Sequence, residues 1–128
     1  MLLLVALTVA TVDLVDKAIS PALPDYYHPR PFPVLLVMIA VTVLGSLTFP
    51  RAGSRTLAVA GGLMVGGGAA NTLSLAFWGE GVPDPLVSYR LGIAFNLADV
   101  AVTAGFLLLF PALVVFVLQH RHDLEAEL

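Results

Sequence analysis

The sequence has no cysteine among its 128 residues, and only 12% of those residues are charged. The absence of cysteine excludes disulfides, thiol catalysis and cysteine metal sites. The formal net charge of −3 is spread along the chain without a block of like charges. We therefore expect no nucleic acid among the partners of this protein.

Motifs of several enzyme classes are also missing. The sequence contains no Gly-x-Ser-x-Gly elbow, no His-Glu-x-x-His pair and no phosphate-binding loop. The histidines form no metal-binding pattern, since His28 lies in a proline-rich segment, whereas His120 and His122 lie close to the C terminus. Serine, zinc and nucleotide chemistry therefore lack support, and we predict no metal site.

What the chain does have is apolar surface, since 59% of its residues are hydrophobic. A soluble domain carries about 25% charged residues, twice the share found here. Each membrane crossing needs about 20 apolar residues, and four such runs fit the sequence at about 1–19, 34–49, 56–78 and 91–118. The first run has neither a basic start nor a small-residue cleavage site, so it is interpreted as a span and not as a signal peptide. We predict an all-α membrane protein, a four-transmembrane-helix bundle forming a single integral domain over 1–128.

The predicted loops set the topology. A loop with five prolines covers 21–33, a short polar turn covers 50–55, a second loop covers 80–90, and a charged tail follows residue 118. This order places the two longer loops on one face of the membrane and both termini on the other. Lys and Arg residues are divided equally between the faces, so the positive-inside rule does not orient the chain. If Lys17 pairs with Asp13, Lys17 counts for less in this comparison of the two faces, and the remaining excess of positive charge favours cytoplasmic termini.

Asp99 is the most informative residue of the fourth predicted span. It lies about two turns into that span, with Asn96 three residues before it and Thr103 four residues after it, so that one polar stripe enters the bundle. Ionisable groups at membrane depth are costly and indicate a functional site by default. The alternative is a polar cluster that packs helices together.

Asp84 belongs to the proline-flanked run GVPDP of the second loop, on the face where the fourth span begins. We predict that it folds toward Asp99. Two carboxylates held close together share one proton, so that one activates water while the other polarises a carbonyl group. The alternative for Asp84 is a solvated loop residue.

Two further polar groups lie on the first and third spans. Asp13 and Lys17 are spaced i, i+4, which predicts an ion pair that fixes the helix end or holds a substrate carbonyl, while Asp16 is expected at the interface. The third span has a glycine-rich face that predicts close helix packing. Asn71 follows that glycine run and is predicted to bond a catalytic loop or a substrate backbone.

Taken in order, these motifs resemble signal peptidase II, the bacterial lipoprotein signal peptidase, a four-span aspartic endopeptidase. The run DLVDK at 13–17 is similar to the family's Asp-x-x-x-Lys motif, and GGGAAN at 66–71 is similar to its Gly-Gly-Ala-x-Gly-Asn segment. Asp84 follows Val82 as the family's first catalytic aspartate follows a Gly-x-Val turn. The run FNLAD at 95–99 is similar to the family's Phe-Asn-x-Ala-Asp motif, which carries the second catalytic aspartate.

The resemblance implies an aspartic endopeptidase of the bacterial cytoplasmic membrane that cuts before the diacylglyceryl-modified cysteine of a prolipoprotein, on the outer side. Its partners would be membrane lipids and the prolipoprotein signal peptide with its lipidated cysteine. The signal helix and the lipid would lie in hydrophobic grooves between the spans. No metal or organic cofactor is implied. By this resemblance Asp84 and Asp99 would activate water, and Asn71 and Asn96 would position the dyad or the substrate. The Asp13–Lys17 pair would support the site.

The sequence departs from the family in three places. Ser74 and Leu75 stand where the family has Asp-Arg, the first loop is shorter than the family segment that forms a small sheet, and the interval from Asp84 to Asp99 is shorter. We therefore expect a divergent, shortened member in which only the proline-rich loop remains and the second loop closes tightly. Two alternatives stay open: a non-catalytic relative that binds lipidated signal helices or a partner protein, and a small transporter or channel that uses Asp99 as a proton site. The sequence does not assign an oligomeric state.

Overall fold

The computed structural model describes residues 1–20, 22–79 and 81–126. These ranges are mostly helical, with a long helix close to each of the predicted spans. The helices are α1 (Leu2–Ile19), α2 (Phe32–Thr48), α3 (Arg55–Phe77) and α4 (Leu97–Ala126). Pro21 and Glu80, which belong to the predicted loops, and the last two residues of the predicted tail lie outside the described residues.

The predicted start of the fourth span is wrong. α4 begins at Leu97 and not at residue 91, because residues 93–95 form a short strand and Asn96 precedes the first helical turn. The predicted tail is helical as far as Ala126, so α4 continues beyond residue 118. The later start of α4 places Asp99 in the first turn of the helix, not two turns into it.

Three helices are long and apolar enough to cross a membrane, over the described segments Phe32–Arg51, Arg55–Phe77 and Leu97–Arg121. Large apolar side chains cover the outside of these helices, among them Leu36, Val37 and Phe106, which are exposed. Such an apolar exterior is stable against lipid and not against water. The protein is therefore a mostly helical membrane protein.

The central element is α3, which packs against the other three helices through consecutive glycines. A Cβ atom at Gly66 would lie 2.6 Å from the carbonyl oxygen of Ala6 in α1, and one at Gly67 would lie 2.5 Å from the carbonyl oxygen of Ala98 in α4. At Gly68 a Cβ atom would lie 2.7 Å from Oγ1 of Thr42 in α2. The predicted close helix packing at the glycine run of α3 is confirmed, and it involves three different sides of the helix.

Gly67→Ala should destabilise the bundle by about 1–3 kcal/mol, the usual range for overpacking a close contact. The added methyl group would meet backbone atoms of α4, which cannot rotate away. Gly79→Ala is a matched control because no atom lies within 4 Å of a Cβ at that position. Thermal unfolding in detergent measures both variants, and equal melting temperatures would contradict the packing described here.

Two pairs of short strands lie in the segments between the helices. β1 (Tyr27–His28) pairs antiparallel with β2 (Val82–Pro83), and β3 (Leu86–Ser88) pairs antiparallel with β4 (Ile93–Phe95). The expectation that only a proline-rich loop remains in the first loop is therefore wrong, because this loop contributes a strand. The β1–β2 pairing brings the first and second loops to the same end of the helices.

Candidate active site

Asp84 is held by the strands that join the two loops. It directly follows β2, and its backbone N–H donates to the carbonyl oxygen of Tyr26 at 3.0 Å. Pro83 and Pro85 flank it and restrict its backbone. The side chain is only 3% exposed. Asp84 is therefore a buried, fixed carboxylate and not a solvated loop residue.

The β3–β4 hairpin determines what Asp84 meets. Leu86 pairs with Phe95, so the residues just before β3 lie opposite those just after β4. Gly92, with a φ of 64°, provides the left-handed conformation that the hairpin turn needs. Asn96 accordingly donates from Nδ2 to Oδ1 of Asp84 at 2.5 Å. The hairpin explains how the second loop closes tightly over the short interval from Asp84 to Asp99.

Asn96 also caps α4. Its Oδ1 accepts from the backbone N–H of Asp99 at 2.9 Å, while its own backbone N–H donates to Oδ2 of Asp99 at 3.4 Å. This reciprocal arrangement is a capping box. A carboxylate in the first turn also interacts favourably with the positive end of the helix dipole. One asparagine thus fixes both Asp84 and Asp99.

Asn71 connects Asp99 to the interior of the bundle. Its Nδ2 donates to Oδ1 of Asp99 at 2.8 Å, and its Oδ1 accepts from Nζ of Lys17 at 2.9 Å. The sequence predicts that this amide bonds a loop or a substrate. In the structure both of its described partners are instead side chains of neighbouring helices.

The predicted ion pair of α1 is formed. Nζ of Lys17 lies 2.7 Å from Oδ2 of Asp13, and both side chains are fully buried. Oδ1 of Asp13 accepts from the backbone N–H of Ala98 at 2.7 Å, and Lys17 also donates to Oγ of Ser74 at 3.0 Å. The pair thereby links α1 to the start of α4 and to α3. Asp16, which we expect at the interface, is half-buried.

A cavity of about 510 Å³ opens beside the two carboxylates. Asp84 and Asp99 both line it, but in the described parts of the chain they form no direct hydrogen bond to each other. Nη2 of Arg30 lies 3.9 Å from Oδ1 of each, so these two oxygens are no more than twice that distance apart. The Asp99 side chain is 35% exposed, which makes it the more accessible of the two.

This arrangement suits acid–base chemistry on a substrate at the end of a membrane bundle. The family model described as Signal peptidase (SPase) II matches residues 25–115. The chain belongs to this family. Signal peptidase II is an aspartic protease family that acts on lipoprotein signal peptides. No curated protein and no solved structure matches the chain.

The signal peptidase II match includes both aspartates of the cavity and both asparagines that bond them, and it begins after Asp13 and Lys17. Ser74, one of the departures from the family pattern, is fully buried and accepts a hydrogen bond from Lys17. It also donates to the carbonyl oxygen of Ala70 at 2.8 Å. A neutral hydroxyl therefore occupies this position without leaving Lys17 unpartnered, since Asp13 provides the negative charge.

Two residues of the cavity were not predicted from the signal peptidase II motifs. Nδ1 of His28 lies 2.5 Å from Oδ2 of Asp84, and Arg30 lies near both carboxylates. A signal for both was available, since the loop that carries them is predicted on the same membrane face as Asp84. Across the described residues, no group of three or more His, Cys, Asp or Glu side chains is placed to hold a metal ion.

Asn96→Ala should lower the free energy of unfolding by about 1–3 kcal/mol, because it removes a helix cap and leaves Asp84 without an amide donor. Asn96→Ser separates the two effects, since serine keeps a capping oxygen but is too short to reach Asp84. We expect the serine variant to fall between the parent and the alanine variant in thermal unfolding. An alanine variant as stable as the parent would show that the two hydrogen bonds add nothing.

Proposed function

We propose that this signal peptidase II family member is an intramembrane aspartic endopeptidase that removes signal peptides from diacylglyceryl-modified prolipoproteins. One observation carries the proposal: Asp84 and Asp99 reach the same cavity from a loop and a helix, with Arg30 3.9 Å from both. Two carboxylates around one water-accessible space are the groups that aspartic proteolysis requires.

In the proposed reaction, a water molecule lies between the two carboxyl groups. The ionised carboxylate takes a proton from this water as its oxygen attacks the carbonyl carbon, and the protonated carboxyl group donates to the carbonyl oxygen. The tetrahedral intermediate then collapses, the C–N bond breaks, and the leaving nitrogen takes a proton from the dyad. The carboxyl group of the released signal peptide keeps the oxygen of the water, so atoms and protons balance. Asn71 and Asn96 position the two aspartates, and the Asp13–Lys17 pair supports them.

The proposed topology is a bundle of four spans. α1 has 18 residues, about 27 Å at 1.5 Å per residue, which approaches the thickness of the hydrocarbon core. Because successive spans alternate in direction, the loops that carry Asp84 and His28 lie at one membrane face and both termini at the other. We place the loops on the outer side of the bacterial cytoplasmic membrane and the termini in the cytoplasm.

A second cavity of about 480 Å³ supports the choice of substrate. It shares Asp99 and Thr103 with the first cavity, and the rest of its lining is mainly apolar. The apolar side chains come from the β3–β4 hairpin and the outer face of α4, and they are Leu91, Ile93, Phe95, Val100 and Leu107. An acyl chain or an apolar signal helix fits such a surface. Its binding there would place the peptide bond to be cut beside the carboxylates.

The test is cleavage of a diacylglyceryl-modified prolipoprotein by the purified full chain in liposomes. We expect mass spectrometry to find a mature product that begins at the lipidated cysteine. The matched control is the same precursor with serine in place of that cysteine, which cannot be lipidated and should stay intact. Failure of the folded protein to cut the lipidated precursor would contradict the proposal.

A second candidate function is binding without catalysis. The observation that favours it is the loss of the family's Asp-Arg pair, replaced by Ser74 and Leu75, which leaves fewer charges near the site. A non-catalytic relative would retain the lipidated precursor on liposomes without shortening it. The same experiment therefore separates the two candidates.

A further inference from the structure

We propose that His28 acts through Asp84 by keeping a proton available to it, so that the aspartate pair works at neutral pH. This inference rests on the proposed function. It adds a histidine to a site whose chemistry is otherwise assigned to carboxylates alone.

The contact itself is direct. Nδ1 of His28 lies 2.5 Å from Oδ2 of Asp84, while Oδ1 of Asp84 accepts from Asn96. A hydrogen bond between an imidazole nitrogen and a carboxyl oxygen contains one proton, whether the ring or the carboxyl group formally carries it. The Asp84 side chain is 3% exposed and the His28 side chain is 42% exposed. The ring thus connects a buried carboxylate to water.

The backbone fixes this pair in place. Across the β1–β2 ladder His28 pairs with Val82, which lies two residues before Asp84. Gly81 has a φ of 140°, and a Cβ atom there would lie 2.9 Å from the carbonyl oxygen of His28, so the two strands meet more closely than other residues allow. The contact is therefore a product of strand pairing and not of a freely rotating loop side chain.

Other charged and titratable groups surround the ring on both sides. Arg30, Asp84 and Asp99 line the larger cavity with His28. On the other side, a cavity of about 260 Å³ is lined by His28 together with Asp25, Tyr26 and Tyr89. The proposed reaction needs one acid beside one ionised carboxylate. A proton held between His28 and Asp84 supplies that acid.

This device changes the pH range of the enzyme. Carboxylic acids of ordinary environment lose their proton near pH 4, whereas histidine titrates between about pH 5 and 8. We expect the cleavage rate of the parent to fall only as the pH rises through the histidine range. In His28→Asn the rate should already fall below pH 6, so that the ratio of rates at pH 7 and pH 5 drops about tenfold relative to the parent.

The choice of asparagine separates positioning from proton supply. Asparagine keeps an N–H donor near the location of Nδ1 but does not titrate. If His28 only held Asp84 in place, His28→Asn would have the pH profile of the parent, and that result would overturn the inference. His120→Asn is the matched control, since His120 lies near the end of α4 and bonds the carbonyl oxygen of Phe116. It should leave the profile unchanged.

A second measurement does not depend on cleavage. In histidine-labelled full chain in detergent, the ¹⁵N resonances of His28 should titrate with a different midpoint in Asp84→Asn than in the parent. An identical midpoint would overturn the inference even if the parent cuts its precursor. Conversely, a parent that never cuts would refute the proposed function while this titration still decides whether His28 and Asp84 share a proton.

Discussion

We expect Asp84→Asn and Asp99→Asn each to abolish cleavage of the lipidated precursor, with losses in kcat of about 10²- to 10⁴-fold or more, the usual contribution of an acid–base group. Each substitution removes one group that exchanges a proton and changes the side-chain shape very little. Because the reaction needs one carboxylate and one carboxylic acid at the same time, either loss alone stops it. Cleavage by purified variants in liposomes measures the effect.

The two variants should differ in stability. Both oxygens of Asp99 accept hydrogen bonds, but the side chain is 35% exposed, so we expect Asp99→Asn to lower the unfolding temperature less than Asp84→Asn does. Asp84 is buried against the amide of Asn96 and the ring of His28, and Asp84→Asn replaces one acceptor with a donor. It should unfold at a lower temperature. Asp25→Asn, in the same loops but outside the larger cavity, is the matched control and should cut normally. A folded Asp84 or Asp99 variant that cuts at the parent rate would contradict the dyad.

The helices and part of the site could be predicted from local sequence. Apolar runs of sufficient length indicated each long helix, since a membrane span needs a minimum number of apolar residues. The i, i+4 spacing indicated the Asp13–Lys17 pair, which the structure confirms. The importance of Asp99 followed from one carboxylate in an apolar run, and the family resemblance that includes it is confirmed by the match over residues 25–115.

The parts that escaped prediction depend on contacts between distant segments. His28 meets Asp84 only because β1 pairs with β2, and strands of two residues leave no alternating pattern in the sequence. The start of α4 was misplaced for a similar reason, since β4 is a short apolar run that resembles the beginning of a span. Arg30 is one of the few charges in the first loop, and only the fold brings it near both carboxylates.

The structure also explains why polar residues interrupt α3. Asn71 and Ser74 accept hydrogen bonds from Lys17, and Asn71 passes the contact on to Asp99. Hydrogen bonds therefore run without interruption from the buried ion pair of α1 to the wall of the cavity. Lys17, Asn71 and Ser74 each have partners that compensate for their loss of water. Removing one member should consequently disturb the others.

Lys17→Met should be the most destabilising substitution outside the cavity. It leaves the carboxylate of Asp13 buried without a counter-ion, and breaking a buried pair in this way costs about 3–5 kcal/mol. It also removes the donor to Asn71 and Ser74, so that Asn71 loses the contact that orients it toward Asp99. We expect a large fall in the thermal unfolding temperature in detergent, accompanied by loss of cleavage even where the protein remains folded.

A double variant distinguishes the charge from the packing. In Asp13→Asn with Lys17→Met no buried charge is left unpaired, so the double variant should be more stable than Lys17→Met alone, although the orientation of Asn71 is still lost. Thr11→Ala is the control on the same helix, because Thr11 is exposed and lies outside the pair, and it should unfold like the parent. A Lys17→Met variant as stable as the parent would contradict the stabilising role of the buried pair.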